Sequence, residues 1–347
     1  MTERAGKRLH PRAPVSLLRR AAPAFFAFMA SSPHVVIVGS IMHDLTLVCA
    51  EFPRSGQTIV GRLRSGLGGK GSNQAIACGR LGVPTCFVGA MGRDAFAAEA
   101  NGFYRREKIG CRLAQKSGRP TGTAVITLNR RGENQIVIEP GANDYLAPGD
   151  VSAALLTRAK VVVTQLESNL ATTAHVLRVA YAARVTTILN PAPMRADFDP
   201  RLLQHVHILI PNESEFVALV RTLPGIRRRG FSERTLHAMK GDALHALCRK
   251  FGVPILIVTL GARGCFISER TGHAFVPAHR DIAVVDTTGA GDAFCGGFAA
   301  GLVRHEGNIV EAARLGTAVA ALSITKPGAA PAMPALRELR RFLRSRA

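Results

Sequence analysis

The chain of 347 residues has no tryptophan, only three tyrosines, and 24 acidic against 45 basic residues. Few aromatic side chains leave few platforms on which single-stranded nucleic acids could stack their bases. The net charge of +21 would nevertheless suit a polyanion. Much of this charge lies in residues 1–33, at 227–229 and at 337–346. We expect exposed basic surfaces and keep a nucleic-acid-binding protein as an alternative.

Long apolar segments are also missing. The longest candidate, residues 21–30, is about half of the ~20 residues that cross a bilayer and contains Pro23. We therefore predict a soluble protein that does not bind membranes. Residues 1–33 form a basic, acid-poor N-terminal extension. It could be a mitochondrial presequence or a disordered leader ahead of an alternative start at Met29.

The seven cysteines form no C-x-x-C pair and are odd in number. This pattern fits neither a disulfide framework nor a zinc site and favours a reducing compartment. We predict a cytoplasmic protein, with the nucleus as a further compartment.

Short apolar segments alternate with helical patterns over most of the chain, beginning with VVIVGS at residues 35–40. This alternation predicts an α/β fold, a doubly wound and mainly parallel sheet flanked by helices. Two polar, alternating segments do not fit that sheet, and we assign them to a small β lid at about 43–66 and 121–140. One domain over 34–335 with a basic C-terminal tail at 336–347 completes the prediction.

Polar residues follow several of the predicted strands. They are Asp44, Glu167, Asn190, Asn212, Thr259 and Asp286. An acid after one strand is usually a helix cap. Six polar residues at one edge of a doubly wound sheet, where ligands bind, favour a site.

The stretch VVDTTGAGDAF, residues 284–294, ends an apolar run in an acid and continues with two glycines and a second acid. Its glycines would leave main-chain N–H groups free at the start of a helix, and such groups bind anions. A tight strand-to-helix turn explains the glycines equally well. Asp292 favours the anion site, because a carboxylate beside a phosphoryl group in transfer can accept the proton of the attacking hydroxyl.

No G-x-x-x-x-G-K-[ST] loop occurs, so a phosphoryl-transfer enzyme would need another phosphate cradle. GGKGSN, at residues 68–73, is also rich in glycine before a predicted helix that we expect to begin at Asn73. A polyol or phosphate could approach its main chain, and a simple turn is the alternative.

Together these segments closely resemble the ribokinase (PfkB) family of carbohydrate kinases, from about Val35 to Pro334. The matching segments are GSIMHD (39–44), GGKGSNQA (68–75), GANDYL (141–146), QLES (165–168), NPAP (190–193), PNESE (211–215), TLGARG (259–264), DTTGAGD (286–292) and TKPGAAP (325–331). GSIMHD, QLES and NPAP narrow the resemblance to the ribose-specific branch. The resemblance implies ATP-dependent phosphorylation of D-ribose at its 5-hydroxyl.

The resemblance also implies residue roles. Asp292 would be the catalytic base, with Gly289, Ala290 and Gly291 as the anion hole. The sugar would contact Met42, His43, Asp44, Gly69, Lys70, Gly71, Ser72, Asn73, Glu167 and Asp292. ATP and Mg²⁺ would contact Asn212, Glu215, Thr259, Leu260, Gly261, Ala262, Arg263, Gly264, Gly291 and Thr317. Asp286, Thr288, Ser323, Lys326, Gly328 and Ala332 would surround a monovalent cation, usually K⁺. A homodimer formed through the lid is the implied assembly.

Two features depart from the family pattern. Many bacterial members have Asn at the position of Met42, and Met cannot make that hydrogen bond to the sugar. A basic insertion near 224–240 lengthens a surface segment, where we expect no contact with a motif. A kinase for another sugar, a deoxyribose or a nucleoside therefore stays an alternative within the family.

Overall fold

The computed structural model describes residues 33–107, 109–131 and 133–346, so the predicted N-terminal extension lies almost entirely outside the described residues. A nine-stranded sheet forms the centre. In chain order its strands are β1 (Val35–Val38), β4 (Thr85–Met91), β5 (Gly110–Gln115), β8 (Val161–Thr164), β9 (Thr186–Leu189), β10 (Ile208–Leu209), β11 (Ile255–Thr259), β12 (Gly264–Glu269) and β13 (Gly272–Pro277). Across the sheet the order is β13-β12-β11-β10-β9-β8-β1-β4-β5. Only β12 and β13 run antiparallel to their neighbours.

Helices cover both faces of this sheet. They are α1 (Lys70–Arg80), α2 (Ala95–Glu107), α3 (Ala153–Thr157), α4 (Leu170–Ala182), α5 (Glu213–Thr222), α6 (Glu233–Ala238), α7 (Gly241–Arg249), α8 (Ala290–Arg304), α9 (Ile309–Ser323) and α10 (Leu336–Arg344). In the described ranges none of them combines the length and the apolarity needed to cross a bilayer. The predicted α/β fold is confirmed.

The apolar strands are buried on both faces, which explains why their sequences do not alternate with polar residues. Val35 and Ile37 of β1 join a core cluster with α1, α8 and α9. Val36 and Val38 point the other way, into a cluster with α3 and α4. One strand thus holds two helical layers together.

The strand order changes direction at β1, which pairs with β4 on one side and β8 on the other. Connections leave β1 and β8 toward opposite faces at such a point, and a crevice opens beyond their carboxyl ends. The residues that follow β1 and β8 in sequence therefore lie at the mouth of this crevice.

A separate four-stranded sheet has the order β3-β2-β6-β7, with β2 (Met42–Val48), β3 (Arg62–Gly68), β6 (Gly122–Leu128) and β7 (Asn134–Glu139). These are the segments in which the sequence predicts a lid. β2 and β6 run parallel, and both outer pairs are antiparallel. Every residue of β7 is exposed.

Three local expectations are wrong. Asp44 lies inside β2 of the second sheet, opposite Gly66, and not at the end of a central strand. α1 begins at Lys70, three residues before the expected start. Gly69 is the residue before it, and its φ of 88°, which glycine adopts easily, lets the chain turn from β3 directly into the helix. Residues 282–286 form no strand, and Val284 and Val285 are each 60% exposed.

Candidate active site

The turn before α8 exposes main-chain donors. Gly289 has φ 75°, and a Cβ there would lie 3.1 Å from the Ala329 Cβ, so both conformation and space favour glycine. The Ala290 N–H is taken by the Thr287 carbonyl at 3.2 Å. In the described chain the N–H groups of Gly291 and Asp292 have no such partner. In the described chain, of the three predicted anion-hole donors, Gly289 and Gly291 therefore keep a free N–H group and Ala290 does not.

Asp292 lies in the first turn of α8 and is 7% exposed. One carboxylate oxygen accepts from Asn73 Nδ2 at 2.9 Å and the other from Gln74 Nε2 at 3.1 Å. Burial raises the pKa of Asp292, against the opposing effect of Lys70 and of these two hydrogen bonds. A fixed carboxylate with a raised pKa is suited to accept a proton.

Lys70 is the cation within a group of acids. Its main-chain N–H donates to Glu167 Oε2 at 2.9 Å, and the same oxygen accepts from Ser40 Oγ at 2.5 Å. Burial works against the charge of Lys70, yet the carboxylates of Asp292, Glu167 and Glu215 outweigh it and raise the lysine pKa. The ammonium group is therefore charged and stabilises the acids around it.

Asp44 extends from β2 toward the same acids. Burial, followed by the charges of Glu167 and Asp292, raises its pKa to about 7. In the described residues no hydrogen-bond donor reaches its carboxylate. Gly68 makes room for it, since a Cβ at that position would lie 2.1 Å from Asp44 Oδ2. An acid with unused acceptor capacity is suited to bind hydroxyl groups.

Asn212 and Glu215 form a reciprocal capping box at the start of α5. Asn212 Oδ1 accepts from the Glu215 N–H at 2.8 Å, and Glu215 Oε2 accepts from the Asn212 N–H at 2.9 Å. Burial raises the Glu215 pKa, and the Asn212 hydrogen bond opposes this shift. The N-x-x-E pattern thus fixes a carboxylate in place.

Two cavities meet at the turn before α8. The smaller, about 170 Å³, is polar and contains Lys70, Asn190, Glu215 and Asp292. The larger, about 730 Å³, has a mainly apolar lining from the 278–284 segment, α8 and α9, and its volume is typical of small-molecule sites. Both cavities share Asn212, Thr259, Thr287, Ala290 and Gly291. The free donors therefore lie between a polar and an apolar compartment.

Comparison with known proteins identifies the arrangement. The model of the pfkB family of carbohydrate kinases matches residues 32–336. The chain belongs to this family. It is therefore a phosphotransferase. Ribokinase of Mus musculus is 34% identical over 318 residues, which are 88% of this chain and 93% of the mouse protein. Deoxyribokinase of Salmonella typhi is 31% identical, over 89% of this chain and 98% of its own length.

Solved structures give the same family relationship for the kinase. Ribokinase from Giardia lamblia superposes with a TM-score of 0.82 at 34% identity, over 91% of this chain and all (100%) of that one. Arabidopsis thaliana ribokinase complexed with ribose and ATP has a TM-score of 0.78 at 30% identity, over 90% of this chain and 99% of its own.

Lys70 lines the polar cavity together with Asp292, and the other predicted sugar residues do not line it. Asp44, Glu167, Lys70 and Asn73 converge with Asp292, as their shared contacts and charges show. The other predicted residues have structural contacts. His43 stacks on Phe96 with ring centroids 3.9 Å apart, Ser72 Oγ accepts from the Tyr104 hydroxyl at 2.7 Å, Met42 Sδ lies 3.7 Å from Asn143 Nδ2, and Gly69 and Gly71 pack against the main chain at 39–42.

The predicted nucleotide residues also divide into those that line the large cavity and those that do not. Thr259, Gly261, Ala262, Gly264, Gly291 and Thr317 line the large cavity. Leu260 is 7% exposed and packs into the core beneath α5 and α7. Arg263 instead lies 3.5 Å from Glu213.

The predicted cation residues lie in the turn before α8, at the end of α9 and in the segment that follows α9, and Asp286 joins the turn to that segment. Its carboxylate accepts from the Thr288 N–H at 2.9 Å and from the Gly328 N–H at 2.8 Å. Burial alone would raise the Asp286 pKa, but the hydrogen bonds from Thr288 and Gly328 lower it, so the group is ionised. Ser323 and Ala332 are buried. Lys326 Nζ donates to Glu338 at 2.6 Å, which settles where its ammonium group points.

Sequence reasoning missed two glutamines and one loop. Gln165 Nε2 donates to Gln74 Oε1 at 2.6 Å, and Gln74 in turn donates to Asp292. Gln165 lies in the QLES segment and Gln74 in the GSNQ segment, so both belong to motifs that the sequence analysis identified but to which it gave these glutamines no role. The 278–284 segment carries no motif. Contrary to expectation, the basic insertion contacts a motif, because its His237 Nε2 lies 2.5 Å from Oε1 of Glu213 in the PNESE segment.

Proposed function

We propose that the kinase transfers the terminal phosphoryl group of ATP to the 5-hydroxyl of D-ribose. The single observation that carries this proposal is the meeting of the two cavities at the start of α8, with Asp292 in its first turn. The apolar cavity suits the base and the ribose moiety of ATP, and the polar cavity suits the acceptor sugar. Ribose in the Arabidopsis complex and the similarity to mouse ribokinase support this choice of acceptor.

The acids that converge on Lys70 and Asp292 would hold the sugar. Asp44 and Glu167 offer carboxylate oxygens to adjacent hydroxyls, and Asn73 has a buried side-chain oxygen without a partner. A sugar that lacks one of these hydroxyls would leave a buried acceptor unpaired, which costs binding free energy. Such contacts orient the acceptor as well as select it.

Neighbouring groups in the first turn of α8 would take up the proton and stabilise the charge. Asp292 would accept the proton of the 5-hydroxyl as its oxygen attacks the terminal phosphorus of ATP, while the bond from that phosphorus to the bridging oxygen breaks and ADP leaves. The N–H groups of Gly291 and Asp292, with the N-terminal dipole of α8, would stabilise the negative charge on the transferred group. Asn73 and Gln74 keep the carboxylate pointed at the acceptor.

The residues present fit the two expected cations. Mg²⁺ typically binds one or two carboxylates together with substrate phosphates, and Glu215 lines the cavity beside the turn. In the described residues no cluster of three acids, histidines or cysteines could hold a metal alone, which agrees with a metal carried largely by ATP. K⁺, a hard cation with oxygen ligands, would lie between the Asp286 and Gly328 loops and stiffen the anion-binding turn.

A panel of sugars tests the acceptor. ADP release would be measured with ribose, 2-deoxyribose, fructose and adenosine at matched concentrations. We expect kcat/KM for ribose to exceed the others by at least about tenfold, since a lost hydroxyl leaves an acid unpaired.

2-Deoxyribose is the second candidate. The Salmonella deoxyribokinase is nearly as similar as the ribokinases, and Met42 supplies no hydrogen bond to a hydroxyl. Equal or higher kcat/KM for 2-deoxyribose would replace ribose with that sugar, and turnover of adenosine alone would contradict both.

A further inference from the structure

One wall of the large cavity has little main-chain support. Residues 278–282 and Val284 line it, between β13 and the turn before α8. The Ala278 N–H donates to the Arg263 carbonyl at 3.2 Å, and the Val285 N–H donates to the Ile324 carbonyl at 2.8 Å. Between these two anchors, residues 279–284 make no main-chain hydrogen bond to another main-chain group of the described chain. The position of this wall therefore depends on side chains.

Those side chains come from the last turn of α10 and from the residues just beyond it. Arg346 donates from one nitrogen to the Arg280 carbonyl at 2.7 Å and from the other to the Asp281 carbonyl at 3.3 Å. Phe342 meets the His279 ring edge-on, with centroids 4.9 Å apart. The guanidinium fork of arginine is suited to hold two neighbouring carbonyls at once.

The held segment is also strained. Asp281 has φ 56°, a left-handed conformation that residues other than glycine adopt infrequently, although aspartate and asparagine adopt it more often than the rest. A surrounding structure must hold such a residue in place. In the described chain its carbonyl has one hydrogen-bond donor, Arg346.

α10 is well placed to supply this hold, because its first turns are fixed to the domain. Leu339 is 2% exposed in the main core. Glu338 accepts from Lys326 Nζ at 2.6 Å and from the Ala335 N–H at 2.7 Å. The guanidinium of Arg346 lies over the Phe342 ring, 4.9 Å from its centroid. Phe342 is thus presented from a fixed helix, and Arg346 lies two residues beyond its end, where its own N–H donates to the Leu343 carbonyl at 3.3 Å.

We propose that Arg346 and Phe342 are positioning residues that set the affinity for the nucleotide by holding residues 279–281 against the large cavity. The assignment of that cavity to ATP rests on the proposed function. The basic C-terminal tail would then be a working part of the nucleotide site.

Arg346→Ala and Arg344→Ala form a matched pair for testing this. Both remove one exposed arginine from the tail, and the Arg344 side chain makes no hydrogen bond or ion pair with a described residue. ATP binding in the presence of Mg²⁺ and without sugar would be measured by calorimetry, together with the KM values for ATP and ribose. We expect Arg346→Ala to raise Kd and KM for ATP roughly three- to tenfold, with KM for ribose and kcat nearly unchanged. Arg346→Lys, with a single nitrogen, should fall between Arg346→Ala and the native protein.

Equal ATP affinity in Arg346→Ala and Arg344→Ala overturns the proposal, whichever sugar the enzyme uses. Weaker ATP binding in Arg346→Ala alone supports it, even if ribose is not phosphorylated. Failure of the native protein to phosphorylate ribose would therefore count against the proposed function only.

Discussion

At the scale of single residues, Asp292 carries the proposed chemistry. Asp292→Asn keeps the shape of the side chain but removes its ability to accept a proton. We expect turnover to fall by about 10²–10⁴-fold while ATP and ribose affinities change little. Steady-state kinetics and calorimetry would measure the two effects separately.

The matched control is Asp242→Asn, because the Asp242 side chain is 100% exposed on α7. It should retain native turnover. A rate for Asp292→Asn close to that of the control would place the base elsewhere.

Asp44 predicts a pH dependence. Its pKa of about 7 means that the acid is increasingly protonated below neutral pH, and a protonated carboxyl accepts sugar hydroxyls less well. We expect kcat/KM for ribose to fall with decreasing pH below about 7 and to level off above it.

Asp44→Asn tests whether Asp44 is the titrating group. It should lower the high-pH plateau of kcat/KM for ribose and remove the fall below about pH 7, while any titration of Asp292 in kcat persists. A native profile that is flat from about pH 6 to 8 would contradict the assignment. The same raised pKa means that ionising Asp44 costs folding free energy as pH rises from about 4 to about 7.

At the scale of elements, the last residue of β3 controls the position of Asp44. Gly68→Ala would place a Cβ 2.1 Å from the Asp44 carboxylate and push it out of the site. We expect KM for ribose to rise at least about tenfold, with a smaller change in KM for ATP.

Gly272→Ala in β13 is the control, because a Cβ there meets nothing within 4 Å. Both variants are measured with thermal melts. An unchanged KM for ribose in Gly68→Ala would show that Asp44 does not contact the sugar.

The loops around Asp286 predict activation by potassium. Replacing K⁺ with tetramethylammonium should lower kcat several-fold, because the turn before α8 loses its support. The Lys326 ammonium cannot readily substitute for the ion, since it pairs with Glu338. Lys326→Met should therefore keep the response to K⁺. Full activity of the native protein without a small monovalent cation would refute this expectation.

At the scale of the whole molecule, β7 is an exposed sheet edge. Ile136, Val137 and Ile138 are 53%, 73% and 43% exposed, and unpaired edges of this kind favour association. We propose a homodimer that pairs through the second sheet, and we expect light scattering to give twice the chain mass of 37.0 kDa.

The double substitution Ile136→Lys and Ile138→Lys should give monomers, because like charges would face each other across the contact. Phe275→Lys is the control, on an exposed side chain of β13 at the edge of the central sheet. A native mass of one chain at micromolar concentration would contradict the dimer.

The sequence by itself determined the fold class and the glycine-rich turns. Both are encoded in contiguous segments of the chain. Apolar strands alternate with helices along the sequence, and Gly289 takes a positive φ because it has no side chain. Local chemistry also placed Asp292 in the first turn of a helix. The start of α1 was missed because Gly69 acts through a conformation that the sequence does not display.

Only the tertiary structure decided which of these residues meet. Asn73 and Gln74 reach Asp292 from 219 and 218 residues away, because α1 packs closely on α8. A Cβ at Gly296 would lie 2.4 Å from the Gln74 carbonyl oxygen. The support of residues 279–281 by Arg346 likewise depends on where α10 docks. Such contacts follow from the packing of distant elements, and no local pattern of residues encodes them.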